Sequence, residues 1–150
     1  MFEGNLLGHI IAKSGIKVDL ERARSIMQIP FLVNKKSMYS FLGMMKFLHK
    51  FIFDYAQIVK PMQEMVRKDA IYKWDKMEKD AFSCTKQITI EALALYNLYF
   101  KKYFILYNFS SDTSLVTMLT CRDDQNNGRP IYFMSFSLQG PEINYPTINK

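Results

Sequence analysis

The spacing of apolar side chains changes once along this chain, near residue 94, and that change bounds what the chain can fold into. Between about residues 20 and 93 they recur every three or four positions, the period of a helix with one buried face. Beyond it, β-branched and aromatic residues dominate and alternate, as in half-buried strands. A helical region followed by a run of strands is an α+β arrangement.

Local signals sharpen both halves. The segment 5–19, NLLGHIIAKSGIKVD, reads as two short strands around a turn at Lys13-Ser14-Gly15, with Gly15 free to take a positive φ. Asp19 is a good N-cap for LERARSIM, and Pro30 lies at or beyond that helix's end. Asn34 caps a second predicted helix over 35–53, whose Met38, Phe41, Leu42, Met45, Leu48 and Ile52 form a core stripe. Residues 54–69 continue with helical spacing, Pro61 suiting a first turn. Asp75 is the expected cap of a last helix, with Met77, Ala81, Phe82, Thr85 and Ile88 on its buried face and Trp74 stapling its start. Strands are expected at 103–110, 114–122 and 130–138, the last two joined by a turn with Asn127-Gly128 as its signal.

A second face of the 35–53 helix carries Tyr39, Gly43, Lys46 and Lys50. A mid-helix glycine costs roughly 1 kcal/mol against alanine and is tolerated where a backbone must come close to something. That something is either a nucleic-acid backbone lying on the lysines or a neighbouring helix. The residues leave both open: the net charge is +6, and residues 35–76 hold nine basic and four acidic side chains. A local positive field suits a polyanion, although a lysine-rich solvated face looks the same.

Other chemistry is missing. There is no phosphate-loop, dinucleotide-binding, zincin or serine-hydrolase motif. Cys84 and Cys121 have no CxxC partner, and with only His9 and His49 added there is no zinc spacing, so buried, reduced cysteines are expected. No stretch approaches about 18 consecutive apolar residues, and the N-terminus lacks a signal-peptide pattern; the expectation is an intracellular chain with no membrane partner. In YNFSSDTSL (107–115) a strand runs out into Asp112, where a metal-dependent nuclease would hold a magnesium ligand. Such sites need several converging carboxylates. The last 50 residues offer Asp112, Asp123, Asp124 and Glu142, and the adjacent pair reads as a turn former.

The order of these pieces resembles the Pol polyprotein of gypsy-type LTR retrotransposons. LLGHIIAKSGIKVDLERARSI resembles the end of the reverse transcriptase palm. The stretch from KKSMYSFLGMMKFLHKFIFDYAQIVKPM to YKWDKMEKDAF resembles the segment that follows it. EALALYNLYFKKYFILYNFSSD and RPIYFMSFSLQGPEINYPTINK resemble the start of the RNase H-like domain. The resemblance implies a palm-end hairpin and helical thumb/connection over 1–93, then a truncated RNase H-like three-strand meander over 94–150. It implies a primer-grip-like hairpin at Leu7, Gly8 and His9. It also implies a template–primer surface on Gly43, Lys46, Phe47 and Lys50, with Lys35 and Lys36 as further phosphate contacts.

The same resemblance turns Asp112 away from metal binding. The family pattern T-D-A-S-D falls on Asn108, Phe109, Ser110, Ser111 and Asp112, so the catalytic acid falls at Phe109 and the next at Asn149. The intact family uses Mg2+ there; no cofactor is expected for this chain. Other departures include Phe53, Leu93 and Leu98 at family prolines, and Val116-Thr117-Met118 at small residues. Pro to Leu, Ala to Val or Thr, and Val to Met each need one transition, as in a decaying reading frame. The expectation is a fragment of a polymerase and hybrid nuclease, itself inactive, with weak and non-specific binding of a template–primer duplex. The alternative is a protein-interaction remnant or a non-functional frame.

Overall fold

The computed structural model of the chain describes residues 4–6, 9–92, 95–97 and 101–140. Leu7, Gly8, Leu93, Leu98 and Asn149 lie outside the described residues.

The expected hairpin is present, but as the middle of a larger sheet. Strands β1 (Gly4–Leu6), β2 (His9–Ala12), β3 (Gly15–Val18) and β4 (Leu95–Tyr96) pair antiparallel in that order. Lys13 and Ser14 turn the chain, and Ala12 faces Gly15. Gly15 has φ +152°, and a Cβ there would lie 2.0 Å from the Leu95 carbonyl oxygen. Only glycine lets β4 come that close.

Helix α1 (Leu20–Met27) starts on Asp19, whose carboxylate accepts from the Glu21 amide at 3.1 Å. Helix α2 (Lys35–Lys46) starts on Asn34, which accepts from the Ser37 amide at 2.9 Å. It stops seven residues short of its predicted end at 53. The Phe47 and Leu48 amides tighten onto Met44 and Met45, and the His49 ring Nδ1 takes the Lys46 carbonyl. A helix would have used that carbonyl for the Lys50 amide. A 3-10 turn, His49–Phe51, and an extended Ile52 follow. Leu48, Phe51 and Ile52 are still fully buried, which is why the apolar stripe gave no sign of the break.

Helix α3 (Tyr55–Met65) begins at Asp54, a non-glycine residue at φ +50°. Pro61 sits inside this helix rather than in its first turn. Burial of Ala56, Val59, Met62 and Met65 outweighs the lost backbone hydrogen bond. Helix α4 (Lys76–Glu91) opens with the Asp75 amide donating to Glu78 Oε2 at 3.1 Å, one arm of a capping box. Ala81, Phe82, Thr85 and Thr89 are buried, and the two threonines donate to carbonyls one turn back. Met77 is exposed, contrary to its place on the predicted stripe, because it precedes the turn where α4 meets the core. Phe82 is the hub, with Phe31, Phe41 and Trp74 rings 4.8–5.5 Å away. Trp74 and Tyr72 both donate to the Leu32 carbonyl at 2.8 Å.

The three-strand meander is β5 (Phe104–Ser110), β6 (Ser114–Arg122) and β7 (Gly128–Ser137), antiparallel in sequence order. A bulge between Leu119 and Thr120 accommodates Pro130. In the β6–β7 turn the positive φ falls on Asn126 (+66°), not on Gly128. Met118 and Phe133, on one face, join the helical core. Leu106, Met134 and Phe136, on the opposite face, stay exposed. Both cysteines are free thiols; Cys121 is buried, but Cys84 is exposed, against expectation.

Candidate nucleic-acid interface

The face of α2 that turns from the core carries Lys36, Tyr39, Gly43 and Lys46, all exposed, and Phe47 continues it at 59 % exposure. A Cβ at Gly43 would meet nothing within 4 Å. Among the described residues the glycine therefore serves no neighbouring helix, and it leaves a shallow gap between Tyr39 and Lys46. Tyr39 is held from beneath, its hydroxyl donating to the Val66 carbonyl at 2.8 Å.

Two predicted contacts sit differently. Lys35 Nζ donates to the Arg67 and Ala70 carbonyls at 2.6 Å each, closing the end of α3. Its charge is engaged in that loop, through partners more than thirty residues away that no local pattern shows. Lys50 lies off the α2 stripe, because the helix has ended; it is half-buried, with its ammonium 5.3 Å from the Phe51 ring centroid. His9 turns inward: it is 9 % exposed, its ring 5.2 Å from that of Phe51. Burial, then the Lys50 charge, then the Arg22 charge hold its imidazole below the ordinary range. A residue so placed packs against Phe51 at the start of β2.

On the meander, the Phe109 ring meets Phe53 edge-on at 5.7 Å and stacks near Tyr107 at 6.5 Å. Asp112 is exposed just past β5, while Asp123 and Asp124 lie at the far end of β6. Nine strand residues separate them, roughly 30 Å. Asp123 accepts from the Gln125 and Asn127 amides and from Arg129, and these bonds, led by Asn127, hold its carboxyl below the usual range. It is a turn former, as its sequence suggests. Among the described residues no three His, Cys, Asp or Glu side chains gather to hold a metal. An apolar ring at 109 does not fit the magnesium that the sequence resemblance implies there.

The helical region and the meander are joined by contacts that sequence reasoning missed. His49 Nε2 and the Tyr132 hydroxyl lie 3.1 Å apart, the Ala56 amide donates to Ser135 Oγ at 2.8 Å, and Thr113 donates to Gln57 at 3.1 Å.

Comparison with known proteins places this architecture. The family model of the RNase H-like domain found in reverse transcriptase matches residues 74–150. The chain belongs to that family of reverse transcriptase domains. Its relatives are retrotransposon Pol polyproteins. It is 34 % identical over 149 residues to the retrovirus-related Pol polyprotein from transposon 297 of Drosophila melanogaster, covering 99 % of this chain and 14 % of the relative. To that from transposon opus of the same fly it is 32 % identical, covering 96 % and 15 %. The Tf2-3 transposon polyprotein of Schizosaccharomyces pombe is 25 % identical, with 96 % and 11 % covered. The chain thus spans about a seventh of these fly relatives. In fold it is similar to the foamy viral protease-reverse transcriptase solved with dsDNA (TM-score 0.85, 17 % identity, 99 % of this chain and 31 % of that one). It is similar also to the same protein solved with an RNA/DNA hybrid (TM-score 0.82, 17 % identity, 98 % and 20 % covered).

Proposed function

We propose that this chain is a non-catalytic reverse transcriptase/RNase H-like segment that binds a nucleic-acid duplex weakly and without sequence preference. Residues 1–93 act as palm-end hairpin and thumb/connection, and 94–150 as the start of the RNase H-like domain. The duplex lies along α2, with Lys36, Lys46 and Lys50 on phosphates and Phe47 beside the Gly43 gap. The observation that carries this reading is Gly43: an exposed mid-helix glycine with open space above it, flanked by lysines. A backbone or sugar approaches there where a side chain would stand in the way. Fold likeness to a protease-reverse transcriptase solved with dsDNA and with an RNA/DNA hybrid supports duplex binding. Phe109 supports the absence of hybrid cleavage, since a phenyl ring cannot ligate magnesium.

The test is fluorescence anisotropy of a labelled RNA–DNA hybrid at low and moderate salt. Saturable binding that weakens with salt is expected, and Lys46→Glu is expected to abolish it. Salt-independent binding, or a Lys46→Glu variant that binds normally, sinks the reading. The exposed Leu106, Met134 and Phe136 face favours a second reading, a protein-interaction surface, which the Lys46 reversal would leave untouched.

A further inference from the structure

Two stretches belong to neither helix nor sheet and meet at Leu32: residues 29–33, ahead of α2, and 71–75, ahead of α4. Their side chains alternate between solvent and core, the period of an extended chain. Phe31, Val33, Ile71 and Lys73 are exposed, while Leu32, Tyr72 and Trp74 pack against the core. The inward set ties the stretches together. The Tyr72 hydroxyl and Trp74 Nε1 each donate to the Leu32 carbonyl at 2.8 Å, and Lys35 Nζ reaches the Ala70 carbonyl beside them at 2.6 Å. The outward set has no cover: Val33 is 85 % exposed and Ile71 86 %, the most of any large aliphatic side chain among the described residues. Among the described residues the amides of 31–33 and 71–74 make no hydrogen bond within the chain. The surroundings are basic. Residues 34–36 and 67–76 hold six basic and two acidic side chains, and Asp75 is already paired with Lys73 at 2.8 Å.

Solvated amides along a fixed, extended chain are what an added strand pairs with. Exchanging water for a peptide's carbonyls gains little by itself; covering Val33 and Ile71 supplies the rest. Leu32 is already held by two side chains, so little ordering is left for binding to cost. The basic surroundings select an acidic partner. A nucleic-acid strand would meet the charge but not the side chains. Bases stack on aromatic faces; Val33 and Ile71 have none, and the Phe31 ring is engaged with Trp74 and Phe82 at 5.1 and 5.5 Å.

We propose that residues 31–33 and 71–74 form a docking site for an extended acidic peptide of a partner protein. The peptide adds its backbone to one of the two stretches and lays apolar side chains on Val33 and Ile71. The site is independent of the duplex reading, since neither Lys46 nor the Gly43 gap takes part in it.

The purified chain is titrated with a labelled peptide that alternates glutamate with valine over about six residues, an ordinary strand length, and with its lysine–valine counterpart. The glutamate peptide is expected to bind saturably with a midpoint below about 1 mM, and the lysine peptide not to bind. Val33→Glu and Ile71→Glu set a like charge against the peptide and are each expected to weaken it roughly tenfold or more, with an unchanged melting temperature because both side chains are exposed. Leu20→Glu makes the same charge change on an exposed side chain at the start of α1 and is expected to bind normally. Lys46→Glu is expected to keep the peptide whether or not it loses the hybrid. Saturating peptide is expected to slow amide exchange within 31–33 or 71–74. Failure of the glutamate peptide to saturate, equal binding of the lysine peptide, or unchanged exchange in both stretches overturns the site. So does equal weakening in all three of the Val33, Ile71 and Leu20 variants. Loss of hybrid binding in Val33→Glu, with no peptide bound by the unaltered chain, assigns the patch to nucleic acid and overturns the proposal. A doubled mass in light scattering that Ile71→Glu returns to a single chain assigns it to a second copy and overturns it too.

Discussion

Phe109 and Phe53, at positions where the sequence resemblance implies an acid and a proline, meet edge-on with ring centroids 5.7 Å apart. The Phe109 ring is therefore part of the packing between β5 and the chain just before α3. Edge-to-face pairs contribute about 0.5–1.5 kcal/mol beyond area burial. A double-mutant cycle of Phe53→Ala and Phe109→Ala in urea should return a coupling in that range; strict additivity would mean that the two rings are merely adjacent. The two informative glycines should respond in opposite directions. Gly43→Ala has open space and a helical backbone, and should stabilise the chain by roughly 1 kcal/mol while weakening hybrid binding. Gly15→Ala meets the Leu95 carbonyl at 2.0 Å and should destabilise by about 2 kcal/mol or more as β4 is pushed away. Melting curves of both variants, with anisotropy for the first, check these signs.

At the scale of elements, the break after α2 decides where the lysines point. His49 makes that break, its ring bonded to the Lys46 carbonyl on one side and reaching Tyr132 on the other. His49→Ala should cost about 1–2 kcal/mol through these two bonds, and should raise amide exchange in β7 as well as at the end of α2. Exchange confined to α2 would show that the Tyr132 bond carries nothing. Element types and caps were legible: Asp19, Asn34 and Asp75 cap their helices, and β6 runs over 114–122 as its pattern predicts. The end of α2 was not, because Leu48 and Ile52 remain apolar and buried through the break. The α2 face was half legible. Its exposed members were read from spacing, but Lys35 is held by carbonyls more than thirty residues away and Lys50 is displaced by the helix break.

For the whole molecule, one core runs from Val18 through the helices to Phe133, so the sheet and helix halves melt as one unit if the joining bonds matter. Neither this fusion nor the inward turn of His9 has a local signature, since both are made by residues far apart in the chain. His9 gives the molecule a pH dependence of definite sign. Its folded pKa is depressed, chiefly by burial, from an ordinary 6.5. As pH falls through 6.5 the unfolded chain takes up a proton that the folded chain refuses, so stability declines with acidification and levels off below the folded value. Above 6.5 this residue contributes no slope. Denaturant midpoints between pH 7 and 5 should fall in the unaltered chain and fall less in His9→Gln; an equal fall in both would assign the effect to other groups.

The seating of β4 on Gly15 also has a consequence for how the chain is made. Leu95 and Tyr96 are synthesised long after β2 and β3 have left the ribosome. Pairing across so much sequence is slow to form. Until it does, the nascent hairpin carries an uncovered strand edge while four helices are still emerging behind it. The growing chain thus passes through a long interval of translation in which its first sheet is incomplete. A chaperone or a neighbouring nascent chain can reach that edge before its own fourth strand arrives.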